Sequence, residues 1–238
     1  MFDFLNLFKP RAPKHPAFAK NHAFFTNFDQ HKAIEEYNYV VVDTELTGLS
    51  RRRDEIVSIG AVHIKNLQIM AGQTFYTLVQ PEHKIDATDS TVIHRITPQE
   101  LIEAPKIDEV LPDFVEFCGN ALFVGHYVDL DTGFLNKECR HFFNAKIESP
   151  GLDTIRLAQI YTELNWQHHD DRFNCNISYN LTDLSKQHGL PLFPAHNALQ
   201  DAMQTAYLFL FLVKSLQKNG LHTLKDFYTA GQNLQQIF

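Results

Sequence analysis

The chain has 238 residues, enough for one large domain or a domain with an appendage, and its 44% apolar content supports a packed core and excludes a disordered chain. A formal net charge of −7 argues against blanket electrostatic binding of nucleic acid; if such a chain binds nucleic acid, something other than Lys and Arg must neutralise phosphate, and a bound divalent metal is a candidate. Three cysteines without CxxC pairing (Cys118, Cys139, Cys175), no signal-peptide pattern and no bilayer-length apolar run point to a reduced, cytoplasmic protein with no zinc site and no membrane contact.

Residues 1–36 carry five cations against four acids, and KPRAPKHPAFAK at 9–20 mixes prolines with basic residues. We expect an N-terminal arm over 1–36, with 9–20 extended and without a regular element of its own, and a main domain over 37–238. Strands are expected at 39–43, 56–64 and 75–79, close enough for an antiparallel meander. Thr97-Pro98-Gln99-Glu100 has the form of a capping box with proline at the first helical position. Residues 107–117 repeat apolar side chains at helical spacing in spite of Pro112, and 121–124 form a short strand. Helices follow at 131–142, 154–164, 181–188, 197–216 and 223–234. A meander followed by alternating strands and helices is an α/β domain with a mixed sheet flanked by helices.

Three stretches carry chemistry. In VVVDTELTGL, Asp43 and Glu45 are two apart on a strand and share a face, where they repel unless a cation binds; oxygen ligands suit Mg²⁺ or Mn²⁺. The bland alternative is a solvated acidic turn. In HNALQDA, His196 lies just before the longest helix and Asp201 borders its apolar stripe, where an unpaired carboxylate is costly. In GHYVDLDTGFL, Asp131 has Phe134 and Leu135 at helical spacing and faces inward, whereas Asp129 faces outward. Either acid is also an acceptable N-cap.

Together the stretches resemble the DEDD superfamily of 3′–5′ exonucleases, in the histidine-containing branch that includes the proofreading epsilon subunit of bacterial DNA polymerase III, ribonuclease T and oligoribonuclease. VVVDTELTGL is similar to the family's Asp-x-Glu strand, HYVDLDTGFL to its middle motif, HNALQDA to its last, and the segment at 94–98 to its His-x-Ile-Thr stretch. The likeness covers about residues 38–215 and departs from the family pattern at Leu46, Tyr127, Val128 and Leu130. It implies a ribonuclease H-like fold and hydrolysis with two ions, Mg²⁺ or Mn²⁺. Asp43 would bridge the ions, Glu45 and Asp201 would complete one site, Asp131 would hold the second ion, and His196 would be the general base. Thr44, Leu46, Thr47, His94, His126 and Phe134 would neighbour the terminal nucleotide. The implied substrate is a single-stranded or frayed 3′ end, with DNA favoured and 5′-nucleoside monophosphates released. The rivals are an exoribonuclease of the ribonuclease T or oligoribonuclease type, and a catalytically silent binding module.

Two side features remain. FLNLF at residues 4–8 resembles Leu-x-Leu-Phe peptides that dock on bacterial sliding clamps, without their leading Gln, and makes the arm a candidate clamp or polymerase contact. His168-His169-Asp170-Asp171 reads as a solvated loop, and the Phe-rich stretch 207–213 as core.

Overall fold

The computed structural model describes residues 15–83, 96–166 and 178–235. The segment at 4–8, His94, the His168–Asp171 run and Cys175 lie outside the described residues. Strand β1 (Tyr39–Leu46) is the centre of a five-stranded sheet of order β3-β2-β1-β4-β5. On one side β2 (Ile56–Lys65) and β3 (Gln68–Leu78) run antiparallel to their neighbours, and on the other β4 (Leu122–Gly125) and β5 (Gly151–Asp153) run parallel. This is the expected mixed α/β sheet.

The β2–β3 hairpin closes on Asn66 and Leu67, both left-handed at φ 51° and 53°, as a tight two-residue hairpin turn demands. β3 begins seven residues earlier than its sequence pattern suggests, at Gln68 and not at 75. It is an edge strand that is largely exposed over its first half, so no core imposes alternation there. β5, at three residues, has too short a pattern to be read.

Alternation along β1 serves two layers. Tyr39 and Val41 face a core built with α5 (Thr154–Trp166), α6 (Leu181–Gln187), α7 (Ala198–Lys218) and α8 (Leu224–Gln235). Val40, Val42 and Leu46 face a second core built with α1 (Pro16–Phe25), α3 (Ile107–Cys118) and α4 (Val128–Phe143). The expected capping box opens α2 (Pro98–Ile102): Glu100 N–H donates to Thr97 Oγ1 at 3.3 Å, and Thr97 N–H donates to Glu100 Oε2 at 2.8 Å. Among the described residues, no helix is long and apolar enough to cross a membrane.

Helix α1 corrects the expectation that 9–20 lacks a regular element. Pro16 sits at the helix start, where a missing N–H costs nothing, and the His15 imidazole caps Ala17 N–H at 3.3 Å. Phe18 is fully buried and stacks on Phe143 with ring centroids 5.0 Å apart. Asn21 donates to Ser149 Oγ at 3.2 Å and accepts from Glu148 N–H at 2.8 Å, tying α1 to the segment before β5. Phe18→Ala is expected to destabilise the domain by about 3–5 kcal/mol, read as a lower urea midpoint; an unchanged midpoint would make α1 a loose appendage.

Candidate active site

The same alternation carries past Val42 into the acids. Asp43 and Glu45 continue the Tyr39–Val41 face toward α7, and Thr44 continues the opposite face toward α4. One carboxylate oxygen from each of Asp43, Glu45 and Asp201 lies within 4.8 Å of the other two. Asp201 reaches this group because α7 lies directly on the sheet. Gly60, the β2 partner of Asp43, would place a Cβ 2.2 Å from the Ala198 carbonyl carbon and 2.2 Å from Leu199 N. The strand and the helix start are therefore in backbone contact, which only glycine permits. Small residues continue the fit, with Ala198, Ala202 and Ala206 fully buried on the sheet side of α7.

Asn197 caps α7, its side-chain oxygen accepting from Gln200 N–H at 3.1 Å. Asp201 accepts from His196 N–H at 2.9 Å and from Asn197 N–H at 3.3 Å. His196 takes a left-handed φ of 68° and exposes its side chain beside the acids. His196 and Asp201 are thus tied through a backbone N–H and a carboxylate.

Asp131 arrives from the other layer. α4 starts after Tyr127, left-handed at φ 68°, and its first turns present Asp131 to β1. Thr44 N–H and Thr44 Oγ1–H both donate to Asp131 Oδ1, at 2.9 and 2.6 Å. Asp131 is buried and Asp129 exposed, as expected.

Burial and neighbouring charge hold Asp43, Asp131 and Asp201 toward their neutral forms. Asp43 is pushed well above the usual carboxylate range by desolvation, then by the charges of Asp131, Asp201 and Glu45. Desolvation raises Asp131 to about 7 against the opposing pull of the Thr44 bonds. Desolvation also raises Asp201, although its bond from His196 N–H works the other way. An all-oxygen cluster under this strain fits a hard divalent cation.

The remaining expected residues separate. Thr44 is buried and serves to hold Asp131. Thr47 pins the β1–β2 loop, its N–H donating to Glu55 O at 2.9 Å and its Oγ1 accepting from Glu55 N–H at 3.0 Å. Leu46 is buried in the core, and in the loop after it Leu49 reaches solvent at 76% exposure. Two nucleotide contacts are corrected. Phe134 is fully buried and has no surface for a nucleotide. His126 has both nitrogens engaged: Nε2 faces Tyr179 O at 2.9 Å and so carries the proton, while Nδ1 meets the Thr154 hydroxyl at 2.8 Å. Desolvation lowers its pKa to about 4, which keeps this internal imidazole neutral.

Two residues escape a reading of the sequence. Tyr76, the β3 partner of Gly60, accepts from Asn197 Nδ2 at 3.3 Å and so braces the turn that carries His196. Asp153 ends β5, accepts from Tyr127 N–H at 3.2 Å and from Ile155 N–H at 2.9 Å, and adds its charge to the field at Asp131. Its signal is an acid at the carboxyl end of a parallel strand, where α/β sheets gather their ligands.

A model of the RNase_T exonuclease family matches residues 40–209, a span that holds all four acids and His196. The chain belongs to this exonuclease family. Residues 40–209 form a DEDD-type 3′–5′ exonuclease domain. The exonuclease is 32% identical over 201 residues to a DNA polymerase III PolC-type of Staphylococcus saprophyticus, an alignment covering 84% of this chain and 13% of that protein. The chain thus matches about an eighth of that polymerase's length. Its fold is similar to that of E. coli exonuclease I crystallised with a dT13 oligonucleotide (TM-score 0.64, 16% identity, 76% of this chain and 42% of that one). It is also similar to a 3′-exonuclease described in 3′-end specific recognition of a histone mRNA stem-loop (TM-score 0.59, 16% identity, 84% and 71%).

Gly60→Ala would push α7 off β2 and Asp201 away from Asp43; the expected result is a drop of roughly 100-fold or more in metal-dependent hydrolysis with a loss of about 1–3 kcal/mol in stability, followed by activity assay and thermal melt. A second expectation concerns pH. Between the ordinary value of 3.8 and about 7, the unfolded chain has released an Asp131 proton that the folded one keeps, so the metal-free domain loses stability as pH rises through that window. Asp131→Asn retains the oxygen that Thr44 bonds and removes this loss. With chelator present, its melting temperature should exceed that of wild type at pH 8, and the gap should close toward pH 4.

Proposed function

We propose that this exonuclease removes nucleotides one at a time from the 3′ end of single-stranded or frayed DNA, releasing 5′-nucleoside monophosphates. The observation that carries the reading is the cluster of Asp43, Glu45 and Asp201, to which Thr44 ties Asp131 and Asp201 ties His196.

Asp43, Glu45 and Asp201 would hold one divalent cation, and Asp43 with Asp131 a second, Mg²⁺ or Mn²⁺ in each case. Bound there, such ions supply charge stabilisation for the attacking and leaving oxygens of an in-line displacement. The chain's own residues do the rest. Asp131 is oriented by two donors from one residue, so its carboxylate does not have to be ordered when substrate arrives. His196 is exposed at the rim and anchored through its own backbone N–H, which sets the imidazole beside the acids to take the proton of the attacking water. Leu49 and Tyr127, 76% and 60% exposed, are apolar surfaces on loops that follow Glu45 and precede Asp131, and would pack against the terminal base.

Support for DNA comes from the polymerase relative and from the oligonucleotide in the exonuclease I structure. The histone mRNA exonuclease shares the fold and supports RNA as the second reading. The test is hydrolysis of matched single-stranded DNA and RNA oligonucleotides with Mg²⁺ or Mn²⁺, followed by release of nucleoside monophosphate. DNA should be cut at least ~10-fold faster, Asp43→Ala should lose roughly a thousandfold or more, and His196→Ala ~100-fold to ~10,000-fold. Equal rates on the two strands would remove the DNA preference, full activity in Asp43→Ala would remove the mechanism, and no metal-dependent cleavage would remove the enzyme.

A further inference from the structure

We propose that Arg51, Arg52, Arg53, Lys137 and Arg140 form a track for the phosphate backbone of the strand behind its 3′ end. The proposal rests on the exonuclease reading above, and names the surface that holds the body of its substrate.

The chain is acidic overall, yet three consecutive arginines stand in the loop that follows Glu45. That loop is closed on itself. Arg53 N–H and Asp54 N–H donate to Ser50 O at 2.9 and 2.8 Å, and Ser50 N–H donates to Asp54 Oδ2 at 2.7 Å. The Thr47–Glu55 bonds pin its base, so Arg51, Arg52 and Arg53 project from an ordered turn, all three exposed.

Arg51 fixes where this turn points. Its guanidinium donates to the Asp129 carbonyl and lies over Gly133, where a Cβ would sit 2.2 Å from Arg51 Cζ. The loop is thereby fastened to the helix turns that carry Asp131. From Gly133 the same face of α4 continues through Asn136, Lys137 and Arg140, at helical spacings of three, four and seven. Arg51 and this face line an open groove of about 600 Å³, and Arg52 and Arg53 line the neighbouring cavity, with Lys137 common to both.

The surrounding acids cancel this charge only in part: Glu55, Glu82 and Glu138 share the cavity of Arg52 and Arg53. Lys137 pairs with Glu138 at 2.8 Å and donates to Asp54 O at 3.0 Å, Asp54 is taken up by Ser50, and Asp129 is exposed at the groove. Among the described residues, no acidic side chain forms an ion pair with Arg51, Arg52, Arg53 or Arg140. Guanidinium forks match phosphate oxygens and read no base, as a nuclease of any sequence requires. The expectation that metal, and not Lys or Arg, would neutralise phosphate therefore applies at the acids and not along this groove.

The experiment compares wild type, R52E/R53E and the control K214E/K218E, whose exposed lysines on α7 lie outside the groove and give the same change of net charge. Steady-state cleavage of 3-nucleotide and 20-nucleotide single-stranded DNA is measured with Mg²⁺ over a range of salt. Binding of labelled 20-nucleotide strand is measured by fluorescence anisotropy in EDTA. In R52E/R53E, KM for the 20-mer should rise ~10-fold or more with kcat largely kept. Its log–log salt slope should become shallower by about 1.4, since each phosphate that an arginine no longer neutralises removes about 0.7. The control should match wild type. A variant with the wild-type length preference, salt slope and EDTA binding would overturn the track, as would an equal loss in the control. If wild type itself cleaves nothing, the exonuclease reading fails, and the anisotropy comparison still decides the track.

Discussion

Carboxylates crowded at the end of one buried strand repel, and most of this fold can be understood as the means of keeping them together. Asp43 is raised by burial and by three neighbouring acids at once. A surface turn would relax this strain by letting the side chains rotate into water. Here the sheet, α7 and α4 hold them against it, with backbone N–H groups doing what a basic side chain would otherwise do. A lysine at that spot would relieve the repulsion permanently and leave nothing for a cation to gain. Partial compensation by neutral donors keeps the cluster ordered and still short of positive charge.

The position of β1 makes the convergence possible. It pairs antiparallel with β2 and parallel with β4, so both layers of helices reach its carboxyl end. The two-residue period then assigns tasks: Asp43 and Glu45 meet α7 on one face, and Thr44 meets Asp131 of α4 on the other. Neighbouring side chains that point in opposite directions thus serve one site. A helix bearing the same residues would need several turns to present them.

How much of this the sequence shows depends on whether the signal is local. VVVDTEL is legible because strand period and paired acids lie in one short run, and HNALQDA because a helix start and an apolar stripe frame its acid. α1 is hidden because prolines and cations in 9–20 look like a linker until Phe18 finds Phe143. Phe134 and His126 sit within legible motifs, but a motif does not state which side of its helix or loop faces the core. Tyr76 and Gly60 matter through cross-strand register with Asp43, which a sequence does not display. The arginine turn is visible as a run, but Lys137 and Arg140 join it only through the packing of α4.

The contact at Gly60 has a further consequence for how this site tolerates change. Elsewhere in the core the spacing between helix and sheet is set by side chains, and exchanging one for another of different shape shifts the layers by fractions of an ångström. Under the acids the spacing is set by main chain against main chain, which has no rotamers and no variable volume. The rest of α7 can drift in composition over generations while this point remains a fixed pivot. The tolerance of the catalytic end is therefore inherited from the geometry of the peptide unit, and the single hydrogen at position 60 is the part of the core that has no acceptable substitute.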